Sequence, residues 1–338
     1  MTSRRWVVAA AVVLVALAVA LAVVLVRPPD ERTPSAVATS APTSSATPSP
    51  VTPVPPPPTG PPAALTAALV AGSRAAPVPD GLTPAPSAAL DSVPVVWTNG
   101  CQASPPTIDQ PACVYGDTTA PRTVVLFGDS HAGQLFPAFD AAAKAGGWRL
   151  VVWTKSSCPV MDLPVYSRTF DRTYTECETW RERTVARIVA LRPDLVVASQ
   201  TETIRGDDRI SASRFARATL RTLLRIQRGT GAPVRYVQDT PLPGFDVPGC
   251  ITDNPGDASA CSYRSADGYA SPQRHAAIAP VLRPRGIAVT PVKEWFCADG
   301  TCPAVVGSTL VYRDDSHLTE PYARMLRPLA EQVLRGGR

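Results

Sequence analysis

The sequence predicts an α/β fold, a three-layer αβα sandwich around a mostly parallel central sheet. Two observations predict it. From about residue 120 onward, short apolar runs alternate with longer amphipathic ones, which is the pattern of repeated βαβ units. Those short runs are apolar at consecutive positions, as strands covered by helices on both faces require.

The first strand expected is Thr123–Phe127, followed by a Gly-Asp-Ser turn and a helix around Leu135–Ala145. Further strands are expected at Arg149–Thr154, Asp194–Ser199, Val234–Gln238 and Ile287–Pro291. The intervening helices fall around Glu178–Leu191, Arg214–Arg228 and Pro272–Leu282, with a last one near Pro321–Leu334. Residues 63 to 117 read as a loop-rich lead-in, and no internal repeat is visible. In such sheets ligands bind outside the carboxyl ends of the strands, where the turn after Phe127 lies.

Ahead of this domain, residues 6–26 are an unbroken apolar run flanked by Arg4-Arg5 and Arg27. At 1.5 Å per residue, a helix of this length covers roughly 30 Å, the thickness of a hydrocarbon core. The basic flank predicts a cytoplasmic stub at 1–5, a transmembrane anchor at 6–26 and everything downstream outside the cell. Secretion after signal cleavage is the competing reading; the run is long for a signal, and its Ala-Leu-Ala sites lie inside it. Residues 27–62 are rich in Pro, Ser, Thr and Ala, including Pro55-Pro56-Pro57-Pro58, and read as a disordered linker. In polyproline II form it would extend on the order of 100 Å and hold the domain at 63–338 off the membrane.

The net charge of +5 rests almost wholly on arginine, with Lys144, Lys155 and Lys293 as the lysines. The arginines recur at helical spacing among Leu, Ile and Ala without aromatic interleaving, so they read as solvated helix faces and not as a nucleic-acid surface. Eight cysteines in an exported chain imply disulfides. They fall as sequence neighbours, Cys101 with Cys113, Cys158 with Cys177, Cys250 with Cys261 and Cys297 with Cys302. That pairing is one of about a hundred that eight cysteines admit. A zinc site would need tight Cys-x-x-Cys or Cys/His clusters, and the spacing offers none.

The chemistry concentrates at two places. Gly128-Asp129-Ser130-His131 puts a serine where a strand turns into a helix, and Asp314-Asp315-Ser316-His317 precedes the last helix. A serine hydroxyl needs a base to become a nucleophile, and the base needs a group to orient it. Of three histidines, His131 follows Ser130 directly and is expected to leave the turn in another direction, while His275 sits mid-helix as a surface or packing residue. His317, with Asp314 three residues before it, is the candidate base. Taken alone, Gly-Asp-Ser is an ordinary turn and Asp314 an ordinary helix cap.

Together these residues resemble the SGNH (GDSL-like) esterase and acyltransferase superfamily, and more narrowly the C-terminal SGNH domain of membrane-bound O-acetyltransferases that decorate bacterial cell-surface glycans. The similarity continues through Cys113-Val114-Tyr115-Gly116-Asp117, Lys155-Ser156-Ser157-Cys158-Pro159, Cys177-Glu178-Thr179-Trp180-Arg181 and Arg192-Pro193-Asp194. The resemblance implies a flavodoxin-like sheet, Ser130 as nucleophile, His317 as general base and Asp314 as its partner, with no cofactor. The superfamily's Gly-x-Asn-Asp block, expected near Ala198–Glu202, is missing, and its second-block glycine is not evident around Thr154–Ser157. Gln200 is therefore the candidate replacement donor for an oxyanion, with Lys155, Ser156 and Ser157 as further residues lining the mouth beside Gly128 and Asp129.

The resemblance implies a serine O-acyl(acetyl)transferase or acetylesterase of cell-envelope glycans, working through an acyl-enzyme. Fused relatives carry a multi-helix acyltransferase domain. Here acyl groups would come from a separate multi-span membrane partner or another donor, or water would be the acceptor. Two rivals stand beside this reading. A catalytically inactive glycan-binding module is motivated by the altered oxyanion region. A metallophosphoesterase is suggested by Gly-Asp-x-His, although such a centre needs further His and Asp or Asn ligands.

Overall fold

A computed structural model describes residues 60–203 and 210–335. The stub, the anchor and nearly all of the linker lie outside these residues. Among the described residues no helix is long and apolar enough to cross a membrane.

The sheet is built from β1 (Gln102–Ala103), β2 (Cys113–Gly116), β3 (Arg122–Gly128), β4 (Trp148–Lys155), β5 (Leu195–Ser199), β6 (Val234–Val237) and β7 (Ala288–Thr290). Their spatial order is β1-β4-β3-β5-β6-β7, and every neighbouring pair on that path is parallel. β2 alone runs antiparallel, against β4. The α/β class and mostly parallel sheet expected from the sequence are thus present.

The strands are two-faced. Val124 and Leu126 of β3 enter one buried cluster, Val125 and Phe127 the other. Leu150 and Val152 of β4 divide from Val151 and Trp153 in the same way, the period-two alternation of a sheet with a core on each side.

The helices around the sheet include α1 (Ala63–Gly72), α2 (Ser130–Gln134), α3 (Phe136–Gly146), α4 (Thr175–Leu191), α5 (Ala212–Thr230), α6 (Pro272–Leu282), α7 (Glu320–Met325) and α8 (Arg327–Arg335). α3 and α8 pack together on one face, and α4, α5 and α6 form a row on the other. α5 illustrates how its sequence produces this. Ser211 caps its start, Gly231 ends it in the left-handed region, and Phe215, Leu223 and Ile226 are buried. Arg214, Arg217, Arg221, Arg225 and Arg228 stay exposed, the solvated arginine face expected from the sequence.

Three local expectations need correction. The lead-in is not simply loop, because α1 and the strands β1 and β2 form there. The final helix is two, broken at Leu326, because Pro328 has no N–H to donate to the preceding turn. The Gly-Asp-Ser turn opens a separate short helix, α2, before α3 begins.

Four disulfides join the cysteines in nearest-neighbour order: Cys101–Cys113, Cys158–Cys177, Cys250–Cys261 and Cys297–Cys302. The first ties β1 to β2, and the second ties the loop after β4 to the first turn of α4.

Candidate active site

The central strands follow the order second, first, third, fourth, fifth, so the chain reverses direction across the sheet between β3 and β5. Clefts outside the carboxyl ends at such a switch point are where ligands bind in open α/β sheets. β3 ends there at Gly128, which lies opposite Ser199 of β5. A side chain at 128 would come within 1.8 Å of the Ser199 carbonyl oxygen and 2.7 Å of Ala132 Cβ. Glycine is therefore what lets β5 and α2 approach the turn together.

Asp129 then fixes the turn. Its Oδ1 accepts the His131 N–H and its Oδ2 the Thr201 N–H, each at 2.9 Å. The first bond caps α2, and the second ties the end of β3 to the end of β5. Burial pushes the Asp129 carboxyl up to about 6, against the pull of His131 and the two N–H groups. Ser130 is the first residue of α2, where N–H groups have no intrahelical acceptor.

His317 arrives from the other end of the chain. The Ser130 hydroxyl donates to His317 Nε2 at 3.0 Å, and His317 Nδ1–H donates to Asp314 Oδ2 at 2.9 Å. Asp314 Oδ1 also accepts the N–H groups of Ser316 and His317, at 2.8 and 2.6 Å. These bonds fold the Asp314–His317 segment into a tight turn around one carboxylate. The edge of Trp97 meets the His317 ring at a centroid distance of 5.3 Å, and Arg313 lies over the Trp97 ring at 4.2 Å.

The electrostatics follow from these partners. Burial is the largest influence on His317 and draws its pKa below the ordinary histidine value, although the Asp314 bond works the other way. Burial alone would raise Asp314, but its bonds to His317 outweigh that and hold the carboxyl far below the usual range. At neutral pH the arrangement is a neutral imidazole, facing a hydroxyl and backed by a carboxylate. It can take a proton from Ser130, as acyl transfer through a serine requires.

These groups open into a pocket of about 400 Å³. Its walls include Ser157, Thr201, Leu242 and Tyr166 to Thr169, the first strand and turn of a small hairpin that pairs Tyr166–Ser167 with Arg172–Thr173. The SGNH domain (fused to AT3 domains) matches residues 100–332 of this sequence. The chain belongs to that family. Among solved structures, the SGNH chain is similar to the periplasmic domain of a lipopolysaccharide acetyltransferase from Salmonella ser. Paratyphi A. The TM-score is 0.51 at 14% identity, over 65% of this chain and 87% of that one, a likeness of fold. No curated protein matches significantly.

Within the SGNH fold, the residues expected at the mouth divide. Ser130, His317 and Asp314 come together, and Ser157 lies on the pocket with a left-handed φ of 55°. Gln200 does not reach the mouth. It is fully buried, its Oε1 accepts the Met161 N–H at 3.0 Å, and its Nε2 donates to Thr219 Oγ1 at 2.9 Å. Lys155 is also turned away. Its ammonium donates to the carbonyls of Ser104, Pro105 and Thr107 at 2.6 to 2.8 Å, and burial lowers its pKa to about 8. Ser156 is committed through its backbone, with its N–H on Ala103 O and its carbonyl accepting the Tyr174 hydroxyl.

Several contributors were not foreseen. His131 does not leave the site. It lines the same pocket, with its ring centroid 5.1 Å from that of His317, and is bonded to Asp239 at 2.6 Å. His275 is stacked on Tyr269 at 3.8 Å and is also paired with the buried Glu202 at 2.5 Å. Gln134 Oε1 accepts the Leu318 N–H. The spacing of Gln134, four residues after Ser130 and hence on one helix face, is the only signal that hinted at it.

Proposed function

We propose that this SGNH chain is a serine O-acyltransferase or acetylesterase that works through an acyl-enzyme. Ser130 is the nucleophile, His317 the general base and acid, and Asp314 the group that orients His317. The observation carrying this reading is the unbroken line from the Ser130 hydroxyl through His317 to Asp314, with bonds of 3.0 and 2.9 Å. Ser130 attacks an acyl carbonyl and passes its proton to His317 Nε2. The leaving alcohol takes that proton, and a second hydroxyl or water then repeats the sequence in reverse. The pocket of about 400 Å³ beside Ser130 supports a sugar hydroxyl as acceptor.

In this reading the chain is held at the membrane by residues 6–26, with its N-terminus cytoplasmic and the domain beyond 63 extracytoplasmic on its proline-rich linker. Four disulfides support an oxidising compartment. The acceptor is a cell-envelope glycan, and the family's fusion to AT3 domains supports a multi-span membrane acyltransferase as the supplier of acyl groups. Among the described residues no three His, Cys, Asp or Glu side chains converge as a metal-holding group.

The test is fluorophosphonate labelling with turnover of 4-nitrophenyl acetate. The proposal expects labelling at Ser130, and loss of both labelling and turnover in Ser130→Ala with folding intact. Wild-type protein that neither labels nor turns over the ester would favour a non-catalytic glycan-binding module.

A further inference from the structure

The pocket holds a second imidazole that the proposed mechanism does not use. His131 is buried, and its Nδ1–H donates to Asp239 Oδ1 at 2.6 Å. Its Nε2 takes no partner among the described residues, and the residue lines the pocket beside Ser130 and His317. Asp239 is itself held from behind. Its Oδ2 accepts the Glu202 N–H at 2.9 Å, and Glu202 Oε2 is bonded to His275 at 2.5 Å. The segment after β5 thus spends two backbone N–H groups, those of Thr201 and Glu202, on Asp129 and Asp239. No amide side chain from this segment reaches the mouth, since Gln200 is bonded to Met161 and Thr219.

We propose that His131, held by Asp239, is the electrophile of the pocket, its Nε2–H bonding the acyl oxygen that becomes charged when Ser130 attacks. The inference rests on Ser130 acting as the nucleophile. In the step, Ser130 Oγ forms the bond to the acyl carbon and its proton moves to His317 Nε2. The carbonyl π pair moves onto the acyl oxygen, which then carries the negative charge next to His131. Collapse restores the C=O bond, and the departing alcohol takes the proton from His317. The His131 proton is shared with the oxygen throughout and transferred to nothing. Donors aimed at developing charge in a water-poor site are worth most in this role.

Two adjacent imidazoles can both carry charge in that intermediate because each has its own carboxylate, Asp239 behind His131 and Asp314 behind His317. The groups facing His131 are Asp239 after β6, Asp129 at the α2 cap, and Asp314 and His317 from the C-terminal turn. Burial alone would lower its pKa, but the three carboxylates outweigh burial and push it up to about 9. Below that pH both ring nitrogens carry protons. Above it the remaining proton stays on Nδ1 toward Asp239, and Nε2 has none to donate.

The experiment uses the full chain with 4-nitrophenyl acetate and compares wild type, His131→Ala, His131→Gln and Ser130→Ala. Removing one such donor costs about 100-fold or more in kcat, so His131→Ala is expected to lose that with little change in KM. His131→Gln keeps a neutral donor and is expected to recover about tenfold of it. After subtraction of the uncatalysed rate, wild-type kcat falls as pH rises past about 9, and this alkaline limb is absent in His131→Gln. A purely structural role for His131 would not move that limb. His131→Ala with kcat unchanged overturns the inference, as does an alkaline limb that persists in His131→Gln. If His131→Ala fails to fold, the His131→Gln profile decides. Undiminished turnover in Ser130→Ala instead removes the nucleophile itself and the inference with it.

Discussion

Gln134 Oε1 accepts the Leu318 N–H at 2.9 Å across a sequence separation of 184 residues. Through that bond the helix carrying Ser130 holds the segment carrying His317, and Gln134 Nε2 continues to Thr240 Oγ1 at 3.1 Å. Gln134 is 1% exposed, so neither bond can be replaced by water without opening the core. Gln134→Leu should leave the Leu318 N–H unpaired at a cost of about 1–3 kcal/mol. It should also lower kcat by roughly tenfold or more with KM little changed, since small displacements of reacting groups are expensive. Urea unfolding and steady-state kinetics on an activated acetyl ester would measure both.

Asp314 holds His317 by one side-chain and one backbone bond. Asp314→Asn preserves the shape but can present an amide N–H to Nδ1, which favours the wrong ring tautomer. The proposed mechanism predicts a kcat loss on the order of 10³–10⁴-fold with the thermal midpoint nearly unchanged. A loss below about tenfold would mean that His317 does not depend on this carboxylate.

Burial lowers the His317 pKa, so the neutral base persists at more acid pH than for a free histidine. The acid limb of kcat/KM should therefore lie below pH 6.5, the ordinary value for histidine. A pH-rate profile with its acid midpoint above that value would contradict the assignment.

His131 links stability to pH in the opposite direction. Its folded pKa is raised from 6.5 to about 9, so the protonated form is bound more tightly in the folded chain. The stability it contributes is complete below about pH 6.5 and is lost as pH rises through about 9. The difference in unfolding free energy between wild type and His131→Gln should shrink across that window, as read by denaturant titration at a series of pH values.

Cys158–Cys177 closes a 19-residue separation that starts next to Ser157 and encloses the Tyr166–Thr173 hairpin, whose residues Tyr166 to Thr169 lie on the pocket wall. Replacing both cysteines by serine should cost about 3 kcal/mol by the loop-closure argument. Because Ser130, His317 and Asp314 lie on other segments, labelling of Ser130 should survive while KM rises. Peptide mapping and ester kinetics on the folded variant would separate the two effects.

The central sheet was legible in the sequence because its strands are consecutive apolar runs buried on both faces, as Val124 to Phe127 are. β1 and β2 were not, since two and four residues carry no periodicity. Ser130 with Asp314 and His317 could be read because local spacing and residue type mark both ends. Gln200 and Lys155 could not be placed, because their partners, Thr219 and the Ser104–Thr107 carbonyls, are set by tertiary packing. The His131–Asp239 pair spans 108 residues and leaves no pattern in the chain.

In the proposed mechanism Ser130 carries the acyl group between donor and acceptor. Rapid quenching of the full chain with excess 4-nitrophenyl acetate, followed by peptide mass spectrometry, tests it directly. An acetyl ester is expected on the peptide containing Ser130 in the wild type, and none in Ser130→Ala. Continued turnover by the wild type with no acetyl group ever found on Ser130 would contradict it.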